Sequence, residues 1–66
     1  MPEPYAEEYH IVIKVHLDGQ EWGAVVGENP IEGVAGFGST VNEAMADLVV
    51  EMEHYHRNWE EFAEEL

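Results

Sequence analysis

Four histidines, a lone serine and fifteen Asp and Glu are the side chains of this 66-residue sequence whose types suit catalysis or metal binding. Spacing decides what they can do. His10 and His16 share one face of an alternating stretch, but they lie about 20 Å apart at strand rise, too far to hold one ion. His54 and His56 stand two apart in a helical stretch and point in different directions. Glu53 and His56 have the Glu-x-x-His spacing of carboxylate di-iron bundles, yet the second motif and its companion glutamates are missing. Ser39 sits beside a helix cap rather than a base, and there is no cysteine, so no activated nucleophile is in view. Gly36-Phe37-Gly38 lacks the lysine of a phosphate-binding loop. The expectation is a chain with no catalytic centre, no metal and no cofactor: not an enzyme.

Length and charge bound what remains. Sixty-six residues make one domain, and chains below about 70–80 residues commonly need a disulfide, a metal or a second copy to be secure. Without cysteine, oligomerisation or partner binding is the staple left. Lys14 and Arg57 alone oppose the acids, giving a formal charge of −13. That field repels phosphate backbones and anionic lipid, so direct binding to nucleic acid or to a membrane is not expected. A basic protein partner fits it. No apolar run is long enough to span a bilayer. Met1–Glu8 offers prolines and glutamates where a signal peptide needs a basic start and an apolar core. The expected location is the cytoplasm.

The elements follow from periodicity. Residues 1–8 read as a flexible N-terminal arm and residues 9–66 as a single α+β domain. Tyr9, Ile11, Ile13, Val15 and Leu17 alternate with His10, Val12, Lys14 and His16, the pattern of a half-buried strand. Asp18-Gly19 tolerates the positive φ of a hairpin turn. Glu21–Val26 is the returning strand, broken by Gly27-Glu28-Asn29-Pro30. Gly33–Gly38 is a third strand, weakened by its glycines. Thr40-Val41-Asn42-Glu43 has capping-box spacing and opens a helix. No proline or glycine follows, so the helix is expected to run to Leu66.

Such a helix would carry the seam Val41, Met45, Leu48, Met52, Tyr55, Trp59, Phe62, Leu66. At 1.5 Å per residue it spans roughly 39 Å, about twice a strand of five or six residues. Tyr55, Trp59, Phe62 and Leu66 would therefore reach past the sheet and carry assembly, as a homodimer or higher oligomer. A small open sheet also leaves two edges that can pair. Glu60, Glu61, Glu64 and Glu65 would sit against the helix dipole and form an acidic rim that steers a basic partner.

Tyr9–Tyr55 resembles the HicB-like antitoxin family. The matching residues are Asp18-Gly19 at the first turn, Trp22-Gly-Ala24-Val-Val26, Pro30, and Gly38-Ser39-Thr40-Val41-Asn42-Glu43-Ala44-Met45. The family shows a W-x-A-x-V run, a P-G pair and a G-D-T-x-E-E-A-L start to its helix; here the pair is opened to Pro30-Ile31-Glu32-Gly33. The resemblance implies a three-stranded, mostly antiparallel sheet with one long C-terminal helix packed on one face. It also implies a domain that binds and masks a basic RNA-cleaving toxin. The DNA-binding module that ends many members has no counterpart after this helix. A role of a different class is an acidic structural or decoy protein that mimics nucleic acid and acts on a nucleic-acid-binding enzyme.

Overall fold

Alternating apolar residues drive the first half of the chain into strands, and a capped amphipathic run then closes over them. The computed structural model describes residues 8–28 and 32–64. Most of the expected N-terminal arm, and Glu65 and Leu66, fall outside the described residues. In chain order the elements are β1 (His10–Ile11), β2 (Ile13–Asp18), β3 (Glu21–Val26), β4 (Val34–Gly38), α1 (Val41–His54), a 3₁₀ turn (Trp59–Phe62) and β5 (Ala63–Glu64).

The fold is α+β, a three-stranded antiparallel sheet of order β2-β3-β4 with α1 packed on one face. The hairpin closes at the pair Asp18↔Glu21, and Gly19 takes a φ of +67° there. Ala24, Val26 and Val34 from the sheet meet Ala44, Leu48 and Met52 from α1 in the buried core. Spaced four apart, the three helix residues form one row over the sheet. Glycine in β4, a weakness by strand propensity, is what lets the helix come close. A Cβ on Gly36 would lie 2.2 Å from the Leu48 backbone nitrogen. Steric room at that contact outweighs the propensity cost, which is roughly 0.5–1 kcal/mol.

The cap forms as its spacing indicates. The Glu43 N–H donates to Thr40 Oγ1 at 3.1 Å, and the Glu43 carboxylate reaches back to accept from the Ser39 N–H at 3.1 Å. The reach is one residue further back than in the usual capping box, whose carboxylate takes the cap residue's own N–H.

The far end of the helix departs from the expectation. The helix is 14 residues long and stops at His54. His56 takes a φ of +55°, its N–H donates to the Glu53 carbonyl at 3.1 Å, and the Arg57 N–H donates to the Met52 carbonyl at 3.0 Å. This is the paired 6→1 and 5→2 pattern of a Schellman cap, with histidine in the place glycine commonly holds. Histidine is among the few side chains enriched at positive φ.

Burial explains the break. Beyond it the chain turns back, and Trp59 and Phe62 become partly buried against the core. Complete burial of a large apolar side chain is worth about 1.5–3 kcal/mol, so partial burial of two still contributes on the order of 2 kcal/mol. A straight helix would leave both in water, and the helix propensities of these residues differ by only tenths of a kcal/mol. Ala63 and Glu64 then pair antiparallel with Ile11 and His10. The continuous first strand expected over Tyr9–Leu17 is thereby divided at Val12, with β1 serving the tail and β2 the main sheet.

Candidate functional site

A groove of about 630 Å³ runs along the outer edge of β4, with Ala35, Phe37, Asp47, Glu51, Tyr55 and Arg57 among its lining residues. The two elements that make it are fixed by the core. Asp47 and Glu51 lie on one flank of the buried row Ala44, Leu48, Met52, and that flank overhangs β4. The Phe37 N–H donates to Asp47 Oδ2 at 2.8 Å, so one outward-facing amide of the edge strand is already occupied. Outward and inward pairs alternate along an antiparallel ladder. Because Phe37 faces out, Ala35, two residues away in the same register, also presents its N–H and C=O outward. The groove thus offers a backbone position with no strand partner among the described residues, beside two carboxylates and exposed aromatic rings at Phe37 and Tyr55.

A second cleft, of about 470 Å³, lies where the tail crosses the end of the sheet. It gathers both basic residues of the chain, Lys14 and Arg57, with Glu28, Glu32, Glu61 and Glu64. Arg57 is the hub. Its Nε donates to Glu61 Oε2 at 2.9 Å, its Nη1 to the Glu32 carbonyl at 3.3 Å, and its guanidinium lies 4.7 Å from the Phe62 ring centroid. One cation therefore ties the loop before β4, the 3₁₀ turn and an aromatic ring together. The ion pair is partly exposed and worth little by itself. The stacking over Phe62 contributes on the order of 1 kcal/mol.

The residues expected to carry assembly separate. Tyr55 is the C-cap of α1 and 59 % exposed. Trp59 and Phe62 are packed against the core, so their seam with Tyr55 does not form as one helix face. Leu66 lies outside the described residues. Of the acidic rim, Glu60, Glu61 and Glu64 are exposed and Glu65 lies outside the described residues. The dipole conflict expected for these acids disappears with the long helix. Glu60 and Glu61 fall in the first turn of the 3₁₀ segment, where negative charge is favoured.

The histidines are dispersed. His10 Nε2 meets Glu8 Oε2 at 2.7 Å, His54 stands edge-on to the Tyr55 ring at 5.2 Å, His56 forms the helix stop, and His16 projects from β2. Among the described residues no three His, Asp or Glu groups are placed to hold a metal ion. No helix there is long and apolar enough to cross a membrane.

Sequence reasoning missed Arg57 as an organising residue and Asp47 and Glu51 as groove walls. A usable signal was present for the first. Asn58-Trp59-Glu60-Glu61 repeats the spacing of a helix start, and a start signal inside a presumed helix implies a stop just before it. No signal of that kind marks Asp47, whose role depends on which strand lies beneath it. No family model, no curated protein and no solved structure matches this chain.

Proposed function

We propose that this chain is a small acidic protein-binding domain of the sort its HicB-like resemblance implies, one that covers a basic partner such as an RNA-cleaving toxin. The observation that carries the reading is the groove at the outer edge of β4, where Asp47 and Glu51 stand over a backbone position at Ala35 that has no strand partner among the described residues. An extended segment of the partner would add to the sheet through main-chain hydrogen bonds while its lysine or arginine side chains meet the two carboxylates. Tyr55, amphipathic and exposed, supplies the aromatic anchor that such interfaces favour. Glu60 and Glu64 extend the negative field and speed encounter more than they add affinity.

The test is a growth assay with a small basic RNA-cleaving toxin encoded beside this chain's gene. Toxin expression should arrest growth, and co-expression of this chain should restore it. Glu51→Lys combined with Tyr55→Glu should weaken binding at least about tenfold and abolish rescue while the circular dichroism spectrum is unchanged. Rescue that ignores both changes would move the site away from β4. Inhibition of an unrelated nucleic-acid enzyme, with no toxin alongside, would replace this reading by that of a decoy.

A further inference from the structure

The opposite edge of the sheet has a different character. β2 has β3 on one side and no strand on the other among the described residues. The alternation set by the Phe37 amide carries across β3. It places the β2–β3 bonds at Lys14↔Val25, His16↔Gly23 and Asp18↔Glu21. The N–H and C=O groups of Ile13, Val15 and Leu17 therefore point to the open edge. The side chains of the same three residues share the helix-side face with Val26, Ala24 and Trp22, their partners in register.

That face is incompletely covered. α1 lies over β4 and β3, leaving Val15 38 % and Leu17 53 % exposed. Val41 and Val49, on the flank of α1 away from Asp47, are exposed as well. Charge says what can come there. Between Glu8 and Asp18 there is no carboxylate, although the chain holds fifteen. The stretch instead carries His10, Lys14 and His16. A basic segment would bring further cations beside Lys14, whereas a second copy sets Lys14 opposite His16 and brings Asp18 alone of its acids, at the ladder's end opposite Val12.

We infer that β2 pairs antiparallel with β2 of a second copy, about a two-fold axis near Val15, to make one continuous six-stranded sheet. Val15 lies opposite the partner's Val15, and Ile13 opposite the partner's Leu17. Every outward N–H and C=O of the three residues is then satisfied. The apolar side chains of the two edges become lateral neighbours at about 5 Å. On the reverse face Lys14 stands opposite the partner's His16, so the two Lys14 ammonium groups do not face each other. Both helices lie on the same face, because the axis is perpendicular to the sheet, and both β4 grooves remain open at the outer ends. The dimer does not depend on the partner reading above, which concerns the other edge.

Light scattering on the full chain at about 100 µM and physiological salt, a regime in which surface charge is screened beyond about 8 Å, should give twice the 7.5 kDa chain mass. The amides of Ile13, Val15 and Leu17 should exchange at least about tenfold more slowly in the dimer than at high dilution. Leu17→Lys, at an exposed position, should give a folded monomer. Val15→Pro, which removes an outward N–H that no intrachain bond uses, should do the same. Glu51→Lys should remain dimeric. A wild-type monomer under these conditions would overturn the inference. So would a dimer that survives both β2 variants, or one that is lost only on Trp59→Glu.

Discussion

At the scale of single residues, two side chains do unexpected structural work. His56 ends the helix from a left-handed conformation, φ +55°, that costs most L residues about 1–2 kcal/mol. Its side chain is exposed, so glycine should serve better. His56→Gly is expected to stabilise the fold by about 0.5–1 kcal/mol, which thermal melting would register as a rise of roughly 4 °C for a domain of this size. A fall would mean the imidazole has a role of its own. Arg57 is the second such residue, since it converts a loop carbonyl, a glutamate and a phenylalanine ring into one anchored corner.

At the scale of elements, α1 on β4 is the contact that builds both the core and the groove. Gly36 sets its closeness. Gly→Ala in a strand would ordinarily help by about 0.5–1 kcal/mol. Here the added methyl meets the backbone of Leu48 at 2.2 Å. Gly36→Ala is therefore expected to cost about 3 kcal/mol, the upper end of ordinary overpacking, read as a lower midpoint in urea with an unchanged slope. An unchanged midpoint would show that α1 can slide away without loss. The hairpin at Asp18-Gly19, the three strands and the cap at Thr40 were all legible in the sequence, because each is settled by chemistry within about four residues. The helix end was not. Its only local hint is the start-like spacing of Asn58-Trp59-Glu60-Glu61; the stop itself lies in burying Trp59 and Phe62 against a core built from residues distant in the chain.

At the scale of the whole molecule, a formal charge of −13 is spread over a small body with two cations, both drawn into one cleft. Self-repulsion should oppose the compact state. Raising sodium chloride from about 20 mM to about 500 mM shortens the screening length several-fold and should raise the melting temperature by several degrees. A flat or falling response would mean that the Arg57 pair, which salt weakens, counts for more than the distributed repulsion. The same distribution gives the sheet two unlike edges. The β4 edge is walled by Asp47 and Glu51, whereas the β2 edge carries no carboxylate before Asp18 at its end and presents Lys14. One edge suits a basic partner and the other a copy of the same chain.

The sequence by itself determined the class of fold, the hairpin, the helix cap and the sign of the surface, since these follow from local periodicity, turn chemistry and composition. Only the tertiary structure decided where the helix ends, which side of it overhangs β4, and that Trp59 and Phe62 face inward while Tyr55 stays out. The reason is physical. An apolar residue spaced for a helix seam is equally well spaced for a chain that folds back, and the two differ in which distant surface it can bury against.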